Sequence, residues 1–116
     1  MSRGFSERSE GAPPLSPEEI EEAVKIAMEA GAVAIYLFGS AARGKFVRGL
    51  SDIDLLVVTE SPPPYRAKTK HIDAGDVNII YMSIQEVCIA YMRGNSLVRE
   101  ALEEGKLVWG REVKCR

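Results

Sequence analysis

Apolar residues in this chain follow two spacings, and the changes from one to the other mark out its elements. Between Ser16 and Gly31, Ile20, Ala23, Val24, Ala27 and Met28 recur at intervals of three and four, which lines one face of a helix. Ser16, Pro17 and Glu19 supply an N-cap, a first helical residue and a capping-box glutamate. A helix is therefore predicted over 17–30, with Gly31 as its stop. Ala32 to Phe38 is an apolar run short enough for a buried strand. A short helical turn near 40–43, a loop from Lys45 to Ser51 and a strand over 53–58 follow, after which Pro62-Pro63-Pro64 forbids further pairing. A third strand region lies between Lys70 and Met82, with Gly75-Asp76 as a bulge or tight turn before Val77 to Tyr81. Ser83-Ile84-Gln85-Glu86 repeats the capping-box pattern and opens a helix over 83–93, which Gly94-Asn95 breaks. Ser96 is expected to cap a helix over 96–104 with Leu97, Val98, Ala101 and Leu102 on one face, and Leu107-Val108-Trp109 to form a short final strand.

These elements describe one α/β domain over 16–110, with a disordered tail at 1–15 and a short polar tail at 111–116. A chain of 116 residues can bury one core without disulfides or structural metal. The net charge of −2 argues against a broad basic surface for nucleic acid. No apolar run approaches the ~20 residues of a membrane span, and the polar N-terminus lacks a signal-peptide core, so a cytoplasmic protein with reduced cysteines is expected. Cys88, among Val87, Ile89 and Met92, reads as a small core residue, and Cys115 lies in the polar tail.

The candidate chemistry sits at two points. Asp52 and Asp54 head the second strand, and residues two apart on a strand share a face. Two converging carboxylates repel unless a cation lies between them, and all-oxygen ligands suit magnesium. Asp54 also precedes four apolar residues, a costly place for an unpaired charge. Upstream, the first strand runs into Gly39-Ser40, where a glycine lets backbone N–H groups approach a phosphate and Ser40 adds a hydroxyl. Arg43 is balanced between a phosphate contact and a solvated charge, while Lys45 and Arg48 read as solvated loop charges.

In this order and spacing, Gly39-Ser40, Arg43-Gly44 and Ser51-Asp52-Ile53-Asp54-Leu55-Leu56-Val57 resemble the signature of the DNA polymerase beta-like nucleotidyltransferases, most closely the minimal nucleotidyltransferase (MNT) group, over about residues 18–110. The resemblance implies a small mixed sheet with helices packed mainly on one face. It implies two magnesium ions held by Asp52 and Asp54, and ATP or another nucleoside triphosphate gripped by Gly39, Ser40 and Arg43. The reaction implied is transfer of a nucleoside monophosphate, AMP from ATP, to a hydroxyl of a partner macromolecule. The family usually carries a third carboxylate on the neighbouring strand, and alignment places Asn78 there. Asn78 can ligate a metal but cannot accept a proton. Asp76, two residues earlier, is the candidate for the missing catalytic carboxylate, with a turn residue as the competing reading; Asp73 is a weaker candidate, and the single His71 is given no role. MNT proteins typically pair with a helical HEPN protein, often as the antitoxin of a toxin–antitoxin couple, so the resemblance implies such a partner, with self-association as the alternative. Leu50, Tyr65, Trp109 and Pro62 to Pro64 are candidates for a contact surface. A catalytically weak nucleotide-binding subunit is the competing function.

Overall fold

The computed structural model describes residues 15–115 of the chain. The order is α1 (Pro17–Ala27), β1 (Ala32–Phe38), β2 (Ile53–Thr59), β3 (Ala67–Ile72), β4 (Gly75–Ser83), α2 (Ile84–Met92), α3 (Ser96–Arg99), a π-helical turn π1 (Glu100–Glu104) and β5 (Lys106–Gly110). The strands form one sheet in the order β3-β4-β2-β1-β5. β2 and β4 run parallel, and the other neighbours are antiparallel. β2 thus lies at the centre with β1 and β4 on its two sides, which is why Leu55 to Val58 form an unbroken apolar run buried on both faces.

Sequence and structure agree closely where the signals are local. Both capping boxes form: Ser16 and Glu19 exchange side-chain and backbone hydrogen bonds at the start of α1, and Ser83 and Glu86 do so at α2. α1 ends at Ala27, earlier than expected, and its last carbonyl accepts a 2.9 Å hydrogen bond from the Tyr81 hydroxyl of β4. Burial pushes that phenol up to about 12. The third helix is capped by Asn95 rather than by Ser96, the Asn95 side chain accepting from the Val98 N–H, and its second half widens into π1.

Three expectations are corrected. The third strand region is two strands: β3 and β4 form a hairpin turning at Asp73-Ala74, and Gly75 opens β4. β3 escaped notice because Lys68-Thr69-Lys70-His71 carries no apolar signal, as suits an edge strand. Leu15, placed in the N-terminal tail, is buried in the same cluster as Ile20, one residue before the Ser16 cap and five positions before its partner, the arrangement of a hydrophobic staple; the rest of that tail lies outside the described residues. Residues 111–115 fold back over the sheet: the Val113 N–H donates to the Tyr36 hydroxyl at 2.8 Å, and Cys115 is disulfide-bonded to Cys88 with a Cα–Cα distance of 5.3 Å. The pairing replaces the two free thiols expected. A separation of 27 residues left no local signal for it.

Helices cover the sheet unequally. Ile35, Leu37, Leu55, Val57, Ile79 and Tyr81 face α1 through Ala23, Val24 and Ala27. Ala34, Tyr36, Phe38, Leu56 and Val58 face the other way, under Val87 of α2, Val98 of α3 and Ala101 of π1. Three of the four helical segments therefore share one face, and alternation along β2 and β4 places Asp54 and Asn78 on that face, near its uncovered end.

Candidate active site

β1 ends at Phe38, and Gly39 turns the chain with φ 76°, a left-handed conformation that favours glycine. A single helical turn follows as expected, with the N–H groups of Ala42 and Arg43 donating to the Gly39 carbonyl at 3.1 and 3.2 Å. Glycine is required here for a second reason: the Cβ of an alanine at position 39 would stand 2.5 Å from Oδ2 of Asp54. Backbone turn and carboxylate are in direct apposition.

Asp54 pairs with Phe38 on one side and with Asn78 on the other, so the three strand positions lie in a row across β1, β2 and β4. The Asn78 amide Nδ2 donates to Asp52 Oδ2 at 2.9 Å and reaches Asp54 Oδ1 at 3.5 Å, while Thr69 on β3 donates its hydroxyl to Asn78 Oδ1 at 3.2 Å. Asp52, Asp54 and Asn78 thus converge. Desolvation raises the pKa of Asp54, with smaller upward contributions from the negative charges of Asp52 and Glu100 and a downward one from the Asn78 amide. A half-buried carboxylate crowded by two others and relieved only by a neutral amide is a poor arrangement for stability and a good one for a cation.

The remaining candidates divide. Ser40 is half-buried in the turn, and Arg43 is exposed beside it. Asp76 lies on the face of Asn78 but is exposed and hydrogen-bonded to His71 Nδ1 at 2.8 Å, across the β3–β4 hairpin. Among the described residues, no three acidic, histidine or cysteine side chains gather as a metal site. Asp73 is exposed in the β3–β4 turn. Arg48, read as a solvated charge, makes a two-pronged ion pair with Glu19 at 2.8 and 2.7 Å, and Lys45 is exposed.

One residue that reaches the candidate site has no signal in the sequence. Oε2 of Glu100, the first residue of π1, accepts both the Gly39 N–H at 3.1 Å and Arg43 Nη1 at 2.5 Å. It lies 61 positions from Gly39 and 57 from Arg43, in a segment whose pattern reads only as an amphipathic helix.

A glycine-serine turn is thus set against paired carboxylates at the head of the adjacent strand. Comparison with known proteins agrees. The family described as "Nucleotidyltransferase domain" matches residues 18–108, and the chain belongs to that family. No curated protein shows significant similarity in sequence. Among solved structures, a toxin–antitoxin crystallised with AMP-PNP is 22% identical, with a TM-score of 0.51 over 84% of this chain and 76% of its own. A mutant of the toxin–antitoxin MntA-HpeT has a TM-score of 0.51 at 20% identity, over 84% of this chain and 76% of its own. A nucleotidyltransferase-like protein from Exiguobacterium sibiricum has a TM-score of 0.55 at 19% identity, over 79% of this chain but only 34% of its own. These likenesses establish the fold.

Proposed function

We propose that this nucleotidyltransferase moves AMP from ATP to a hydroxyl of a partner protein, as the antitoxin of a pair with a HEPN-type helical toxin. The observation that carries the reading is the meeting of Asp52, Asp54 and Asn78 at one point beside the Gly39 turn. The donor set fits a magnesium site: two carboxylates and an amide oxygen are hard oxygen ligands, once the Asn78 amide turns its oxygen toward them. When bound there, divalent metal would neutralise phosphate charge and activate the attacking hydroxyl.

This chain's own groups supply the rest. Gly39, Ser40 and Arg43 would bind the triphosphate through backbone N–H, hydroxyl and guanidinium donors. Asp76 would take the proton of the incoming hydroxyl, its carboxylate oriented by His71. Support for the pairing comes from the two similar toxin–antitoxin structures, one of them crystallised with an ATP analogue and the other a mutant with two aspartate-to-glutamate changes two positions apart, the spacing of Asp52 and Asp54.

The test is transfer from ATP labelled at the α-phosphate, with magnesium and the purified HEPN-type protein encoded beside the gene. Label should appear on the partner, and the same ATP labelled at the γ-phosphate should leave none. Absence of α-label transfer with ATP binding intact would favour a second reading, a nucleotide-binding subunit without catalysis. The replacement of the third carboxylate by Asn78 is what favours that alternative.

A further inference from the structure

Glu100 reaches into the Gly39 turn from a distant element, and its contacts are those of an anion in a phosphate cradle. A single oxygen, Oε2, takes a backbone N–H at the end of β1 and the guanidinium of Arg43 together. A phosphoryl oxygen would take the same two donors. Both charged side chains stay accessible, Arg43 at 46% and Glu100 at 31% of full side-chain exposure, so an incoming ligand can reach the pair. Glu100 also stands at the junction where α3 gives way to the wider π1 turn. Such widened turns often accompany functional positions and let one side chain be aimed off the regular helical path.

We propose that Glu100 is an internal plug of the phosphate cradle, holding Gly39 N–H and Arg43 until a polyphosphate displaces it, and so setting which anions the site accepts. This rests on the reading of residues 39–43 as the cradle. Among the described residues the ion-pair partner of Arg43 is Glu100, so the plug occupies this guanidinium before a ligand arrives. It also gives the site a selection rule. A lone phosphate or carboxylate offers no more than Glu100 already supplies at no translational cost. A triphosphate brings additional oxygens for Ser40 and the neighbouring backbone, and can win the exchange.

The test compares wild type, Glu100→Gln and Glu100→Ala by calorimetry, with magnesium and either tripolyphosphate or ATP as the probe, and with inorganic phosphate as the weak competitor. Glu100→Gln keeps shape and hydrogen-bonding capacity, so it guards against a variant that fails to fold, and far-ultraviolet circular dichroism checks all three proteins. Removing the charge should tighten tripolyphosphate binding by about tenfold, the scale of one charge-assisted hydrogen bond no longer opposed. It should also raise phosphate binding from undetectable to measurable. In an Arg43→Ala background the gain should disappear, because the plug acts by occupying that guanidinium. In wild-type protein the Gly39 amide resonance should move on adding tripolyphosphate in the direction that Glu100→Gln moves it. Equal or weaker binding in both folded Glu100 variants, with ATP still bound by wild type, would overturn the plug and leave the cradle standing. Failure of every folded variant to bind ATP or tripolyphosphate would overturn both.

Discussion

Asp54 and Gly39 lie against each other in the candidate site, and both stand out in the sequence because their signals are local. An aspartate two residues from another at the head of an apolar run is anomalous within a window of six residues, and a glycine closing a strand needs no partner to be noticed. Glu100 was not legible, since what makes it part of the site is a reach across some sixty positions that only the fold supplies. The crowding at Asp54 gives a prediction with two signs. Its raised pKa means that the folded state prefers the neutral acid, so its ionised form opposes folding above that pKa, and the opposition is relieved as pH falls through it. Asp54→Asn should therefore raise Tm at neutral pH without metal while abolishing magnesium-dependent ATP binding; a lower Tm with binding retained would contradict the functional assignment. Gly39→Ala meets both a positive φ and the Asp54 carboxylate, and should cost on the order of 1–3 kcal/mol in a denaturant titration.

Among the elements, the starts of α1 and α2 are legible because capping boxes are written in four consecutive residues, whereas β3 is not separable from β4 because a polar edge strand lacks the alternation that announces an inner one. Register explains the rest of the site: Asn78 meets Asp54 only because β2 and β4 run parallel with those two residues paired, a relation that the sequence alone does not state. Both capping-box glutamates also hold a distant arginine, Glu19 with Arg48 and Glu86 with Arg66. Those hydrogen bonds lower the pKa of each glutamate to about 2 from an ordinary value of 4.5. The stability they contribute is present above the unfolded value and is lost as pH falls from about 4.5 toward 2. The acid arm of a Tm-against-pH curve should therefore flatten in Arg48→Ala, Arg66→Ala, and most in the double variant. Because the pairs are exposed, the loss at neutral pH should be small. Ser83→Ala, by contrast, removes the cap of α2 and should cost about 1 kcal/mol at any pH.

For the whole molecule, the mixed sheet and the family were legible, while the course of residues 111–115 was not. A short polar segment read as a free tail is held by the Tyr36 hydroxyl and the Cys88–Cys115 bond. Closing a loop over a separation of 27 residues should stabilise the fold by about 3 kcal/mol, so a denaturant midpoint that falls on reduction, and no longer responds to reductant in Cys115→Ser, is expected. The same segment passes over the face shared by α2, α3 and π1, the face on whose open end the site lies. No helix among the described residues is long and apolar enough to cross a membrane. The proposed activity requires that the turn at Gly39 and the carboxylates on β2 form a single nucleotide and metal site. Calorimetric titration of a non-hydrolysable ATP analogue tests it most directly, with and without magnesium, in wild type, Asp52→Asn and Asp54→Asn. Binding that requires magnesium in wild type and is lost in both folded variants is the predicted result. Equal affinity in all three proteins, indifferent to magnesium, would contradict it.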